Sequence, residues 1–131
     1  PSLGLLTVNA LVASDGILVP VQCEYFALEG LGQLLKTMDL VRSYLREDLS
    51  LSGLVMTMFD SRTRLSKEVV EEVRRQFGEL VLDTVIPRNV KLSEAPSHGR
   101  PIAYYDPSSA GAEAFRELAR EVQRKWLDPG R

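Results

Sequence analysis

The chain has 131 residues, 44% hydrophobic and 26% charged, with a formal net charge of −2. That balance suits one globular unit with a real core; it excludes a disordered chain or a wholly basic nucleic-acid binder, but not a local basic patch. A single cysteine, Cys23, excludes an internal disulfide and fits a reducing cytoplasm, and no apolar run approaches the roughly 18 residues of a membrane span or forms a signal-peptide pattern.

The segment Leu3 to Ala13 is apolar almost all round, as expected of a short buried helix. After the Asp15-Gly16 turn signal, Ile17 to Val21 reads as a strand covered on both faces, with Pro20 near its end. Tyr25 to Glu47 reads as a long helix. Leu28, Leu31, Leu34, Leu35, Met38, Val41 and Leu45 make its apolar stripe, and Gly30 and Gly32 suit close packing or a moving element. Leu54 to Phe59 is the second strand. Ser66 is the expected N-cap of a helix that ends at Phe77 with Gly78 beyond it. Val81 to Ile86 is a third strand, more polar and so nearer an edge. Ile102 to Pro107 reads as extended or irregular. A last helix, capped by Ser109, carries the stripe Phe115, Leu118, Ala119, Val122 and Trp126 and stops at Asp128-Pro129-Gly130.

Strands alternating with helices of this length predict an α/β fold: a parallel sheet of about three strands, right-handed crossovers and helices on both faces. Ligands in such sheets bind beyond the carboxyl ends of the strands. Gln22-Cys23-Glu24, Asp60 to Arg64 and Pro87-Arg88-Asn89 are expected to converge there, although far apart in sequence. Arg62, Arg64 and Lys67 follow one strand; Arg88, Lys91 and Arg100 follow another. Together they would form a positive rim able to contact phosphates, without the interleaved aromatics or groove-reading helix that sequence-specific DNA binding needs. No G-x-x-x-x-G-K-[ST] loop, Gly-rich dinucleotide fingerprint or Cys/His metal spacing occurs, and His98 is the only histidine. No catalytic constellation can be assembled.

Several stretches carry a family resemblance in collinear order. They are Pro1 to Leu11, Ile17 to Leu31 with Pro20-Val21-Gln22-Cys23-Glu24-Tyr25 at its centre, Met56 to Thr63, Ile86 to Pro101, and Tyr105 to Ala114. Together they resemble the ParA/Soj-type chromosome- or plasmid-partitioning ATPases, a deviant-Walker branch of the P-loop NTPases. The resemblance implies ATP and Mg²⁺ as cofactors, an ATP-bound homodimer and nonspecific DNA binding. It also implies a ParB/Spo0J-type partner that stimulates hydrolysis, and a cytoplasmic, nucleoid-associated location without membrane attachment.

In that family the phosphate-binding loop and the acidic Walker B residue precede everything seen here, and Pro1 resembles the second proline of the pair that follows Walker B. Residues 1–131 are therefore expected to be the C-terminal half of the ATPase domain, with no catalytic residue, no metal ligand and no tight ATP binding or hydrolysis of its own. The resemblance puts Phe59, Asp60, Pro87, Arg88 and Asn89 on the adenine side and Arg62, Lys91 and Arg100 toward DNA. Gln22, Glu24 and Tyr25 would border the nucleotide and dimer interface. It further implies that the Ile17 to Val21 strand has an open edge. Two alternatives stand beside it: a non-catalytic DNA-binding or dimerisation module, and a division-site-placing relative whose last helix would meet a membrane.

Overall fold

The computed structural model describes residues 4–127. Its elements are α1 (Leu5–Ala13), β1 (Ile17–Gln22), α2 (Ala27–Tyr44), β2 (Leu51–Phe59), α3 (Arg64–Phe77), β3 (Val81–Pro87), α4 (Val90–Glu94), α5 (Ile102–Tyr105) and α6 (Ala110–Val122). The three strands form one parallel sheet in the order β1-β2-β3, so β1 and β3 are its edges among the described residues. The expected helix start at Leu3 and stop at Asp128-Pro129-Gly130 lie outside the described residues.

Strand alternation builds two layers. Val19, Val21, Leu54, Met56 and Val81 point to one face, where Leu31 of α2 and Val69, Val70 and Val73 of α3 cover them. Val55 and Ile86 point to the other, where Ala114 of α6 packs with Leu92 and Leu118 against them. A satellite core joins α1 to α2 through Leu11, Met38, Val41 and Leu49. Helices therefore lie on both faces, as the βα alternation predicts.

Several local expectations are corrected. Only alternate residues of β1 are buried, because α6 covers β2 and β3 but leaves Leu18, Pro20 and Gln22 open. Likewise α1 buries only Leu11 and exposes Leu5 and Leu6 to solvent. Gly30 and Gly32 face open space, so close packing does not explain them. Thr63, not Ser66, caps α3: its Oγ1 accepts the Ser66 amide, while the buried Ser66 hydroxyl donates to the Cys23 carbonyl. The segment after Pro101 makes one helical turn, α5. The stripe of α6 is rotated: Gly111, Ala112, Ala114 and Glu121 are buried, while Phe115 and Ala119 are exposed.

Ser109 does cap α6, its Oγ accepting the Ala112 amide at 3.2 Å, and Gly78 does end α3, with φ of 53°. The last helix is also no free amphipathic surface, since Ala114 and Leu118 are spent on the sheet. No helix among the described residues is long and apolar enough to cross a membrane.

Candidate functional site

The three strand-end segments meet. The Cys23 amide donates to the Thr57 carbonyl at 2.9 Å, and the Arg88 amide donates to the Phe59 carbonyl at 2.8 Å. These bonds extend the parallel ladder past the carboxyl ends and fix the loops side by side. Across them, Arg88 Nη2 reaches Glu24 Oε1 at 2.7 Å, joining residues 64 apart in sequence.

Arg88 separates two clefts. The first, of about 490 Å³, is lined by Gln22, Pro87, Arg88 and Asn89 together with Thr57, Met58, Val90, Leu92 and Phe115. Its wall is mostly apolar with a few polar groups at the rim, the usual character of a small-molecule site. The second, of about 680 Å³, is lined by Glu24, Tyr25, Phe26, Asp60, Arg62, Leu65 and Arg88. Tyr25 and Phe26 stand there edge to face, centroids 5.3 Å apart and both largely exposed.

Not every residue expected on the adenine side shares one cleft. Pro87, Arg88 and Asn89 line the first with Gln22. Asp60 lines the second, with Glu24 and Tyr25. Phe59 packs against the α2/α3 core and lines neither cleft. Thr57, Met58, Val90, Leu92 and Phe115 were not legible as site residues. Phe115 looked like a core position, and nothing in the pattern of β2 distinguishes its last residues from the rest.

The basic residues are largely paired. Arg62 makes a two-pronged contact with Asp60, Nε to Oδ1 at 2.9 Å and Nη2 to Oδ2 at 2.7 Å. The Arg62 guanidinium and amide, with the charge of Arg88 farther off, hold the Asp60 carboxyl well below the usual carboxylate range. Arg64 pairs with Glu68, and Lys91 Nζ meets Glu94 Oε2 at 2.8 Å. Glu94 also accepts from Tyr105 Oη at 2.9 Å, and both bonds lower its pKa. Arg100 and Lys67 have no side-chain ion pair among the described residues. The expected positive rim is thus a row of exposed ion pairs with two unpaired cations. Exposed pairs such as Arg64–Glu68 are weakly held, whereas the two-pronged Arg62–Asp60 pair is firmer.

The remaining chemistry is bland. Cys23 is buried, and burial pushes its thiol up to about 11, so it carries no nucleophilic thiolate at neutral pH. His98 stacks on Tyr105, centroids 4.8 Å apart. Asn89 Oδ1 accepts the Lys91 amide at 2.8 Å and caps α4, which leaves its amide nitrogen for a ligand. Among the described residues no group of three or more His, Cys, Asp or Glu is placed to hold a metal ion.

Comparison with known proteins adds four findings. A family model described as "AAA domain" matches residues 1–51. The sporulation initiation inhibitor protein Soj of Bacillus subtilis is 61% identical over 122 residues, 93% of this chain and 48% of that protein. The chromosome partitioning protein ParA of Myxococcus xanthus is 54% identical over 125 residues, 95% of this chain and 44% of that protein. Among solved structures, cobyrinic acid a,c-diamide synthase from Mycobacterium smegmatis with bound ADP and magnesium superposes with a TM-score of 0.72. It is 37% identical and is matched over 98% of this chain and 45% of the other. The chain spans about half the length of the relatives it matches.

Proposed function

We propose that this chain, a homologue of the Soj and ParA chromosome-partitioning proteins over more than nine-tenths of its length, supplies the base-binding and DNA-facing part of a partitioning ATPase. The observation that carries the reading is the apolar cleft that Gln22, the end of β2 and the Pro87 to Asn89 loop form at the sheet's carboxyl edge, beside a row of ion-paired cations. Pro87, Asn89 and Gln22 would hold a purine base there, and Arg88 would close the rim. A bound ATP would supply a γ-phosphate whose transfer to water drives the switch. Phosphates and Mg²⁺ would be held by the family's phosphate loop, whose pattern this sequence lacks.

Arg62, Lys91 and Arg100 would face DNA in the ATP-bound homodimer. Nonspecific phosphate binding would anchor the protein to the nucleoid, and a ParB/Spo0J-type partner would trigger release. Glu24 and Tyr25, on the rim of the second cleft, would border the dimer interface. The paired state of Arg62 and Lys91 supports modest, salt-sensitive DNA binding.

The test is charge reversal. Arg62→Glu with Lys91→Glu is compared with the parent for retention on unspecific duplex DNA at low salt. Two lost phosphate contacts should reduce the slope of log affinity against log salt by about 2. Unchanged retention and slope would remove the DNA-facing part of the reading.

A further inference from the structure

Four charged side chains alternate in sign along the rim between the two clefts: Glu24, Arg88, Asp60 and Arg62. All four line the second cleft, and Arg88 lines the first as well. The two ends of this row differ in strength. Arg88 holds Glu24 by one bond at 2.7 Å, with side chains 49% and 52% exposed. The Asp60 side chain is only 17% exposed; it takes Arg62 by two prongs and also accepts the Arg62 amide at 3.0 Å. Exposed single bonds between charges are weak, and two-pronged arginine–carboxylate pairs are the firm ones.

The main chain sets Arg88 beside both carboxylates. Its amide donates to the Phe59 carbonyl at 2.8 Å, so its backbone lies next to the residue that precedes Asp60. Asp60 in turn is pinned to the start of α3: its amide donates to Ser66 Oγ at 3.3 Å, and its carbonyl accepts the Thr63 amide at 3.1 Å. The charge of Arg88 already acts on the Asp60 carboxyl. Asp60 therefore stays in place, Arg62 is fixed to it by the local turn, and Arg88 is the member that can exchange partners. A carboxylate has about four acceptor positions, so Asp60 can take Arg88 beside Arg62 or in place of one of its prongs. In either arrangement the Arg62 charge is no longer cancelled one for one.

We propose that Glu24 is a latch on phosphate binding: it keeps Arg88 off Asp60, and when another group engages Glu24, Arg88 passes to Asp60 and releases Arg62 to phosphate. The proposal rests on the DNA-facing reading of Arg62 above and adds what sets the availability of that side chain. In the homodimer proposed above Glu24 borders the second copy of the chain. A donor from that copy that took Glu24 would couple subunit contact to phosphate binding. Side chains change partners in this exchange, and the strand-end backbone keeps its hydrogen bonds.

Glu24→Gln in the full 131-residue chain tests this, since Gln keeps the shape and removes the charge that holds Arg88. Glu29→Gln removes one charge from an exposed position on α2 and is the control. Glu24→Gln should raise retention on unspecific duplex DNA about threefold at low salt, the scale of one ion pair. It should also steepen the slope of log affinity against log salt by about 0.9. In an Arg88→Gln background the same change should add no more than Glu29→Gln does. Without DNA, the Arg62 Nε–H signal in ¹⁵N NMR should shift in Glu24→Gln and stay fixed in Glu29→Gln. A gain no larger than that of Glu29→Gln, a gain that persists in the Arg88→Gln background, or an unmoved Arg62 signal refutes the latch and leaves the DNA-facing reading standing. If Arg62→Glu alone is retained on DNA like the parent, that reading falls and takes the latch with it.

Discussion

Glu121 offers the sharpest test of how the C-terminal helix is held to the sheet. It is 9% exposed on α6, and its two carboxylate oxygens accept the backbone amides of Asp83 at 2.7 Å and Thr84 at 2.9 Å. Burial alone would raise its pKa. The amide bonds from Thr84 and Asp83, with the charge of Lys125, outweigh burial and hold it below the usual glutamate value. Glu121→Gln keeps size and helix propensity but offers one oxygen and sets an NH₂ against the second amide. Hydrogen bonds to charged groups are worth about 1.5–3 kcal/mol each; two partly solvated bonds at the low end total about 3 kcal/mol, and the neutral bond of about 1 kcal/mol that Gln keeps leaves a loss of about 2 kcal/mol at pH 7. The sign follows from the lowered pKa. The stabilisation is present above the ordinary glutamate value of about 4.3 and is lost as pH falls through the lower folded value. Urea unfolding of parent and variant should therefore differ at pH 7 and converge in strong acid. A difference below about 1 kcal/mol at neutral pH, or an equal difference in strong acid, would refute the reasoning.

Three further outcomes follow. A Cβ at Gly111 would lie 2.6 Å from Leu92 Cγ, at the branch point of that side chain; Gly111→Ala should lose about 1–2 kcal/mol by thermal unfolding despite alanine's better helix propensity. Strand β1 has an open edge and an uncovered Leu18, so sedimentation should show concentration-dependent self-association that Leu18→Lys reduces; a monomer throughout would contradict this. The purified 131-residue chain should hydrolyse no ATP above a mock preparation, since its sequence has no phosphate-loop lysine pattern.

The sheet was legible because Leu54 to Phe59 and Val81 to Ile86 are apolar runs bounded by turn residues, and α2 and α3 carry clear stripes. Their order alone put Glu24, Asp60 and Arg88 on one rim, and the Arg88–Glu24 contact bears that out. Burial was less legible. Composition made β1 and α1 look covered, but composition cannot say how far α6 extends across the sheet, and it stops short of Leu18 and Pro20. The phase of α6 was misread because its apolar residues alone set the expected stripe, whereas Glu121 binds the β3 backbone and Phe115 is turned outward. The β-bulge at Thr57 and Met58 has no sequence signal: Met58 takes a φ of 55° where Gly or Asn would be expected, and the bulge appears only in the register. Charge was visible but pairing was not: Arg62 and Lys91 looked free because their partners, Asp60 and Glu94, lie two and three residues away and depend on loop geometry.

The central claim is that these residues form the base and DNA side of a partitioning ATPase. Replacing the aligned segment of Bacillus subtilis Soj with this chain tests it most directly, because the exchange supplies the half of that protein's length that this chain does not span, from a protein 61% identical across the segment. The measurement is retention of the purified chimera on unspecific duplex DNA, with and without ATP, beside the parent Soj. Retention that requires ATP, weakens with salt and disappears with Arg62→Glu and Lys91→Glu is the expected result. A chimera that folds and binds ATP yet retains no DNA would contradict the claim.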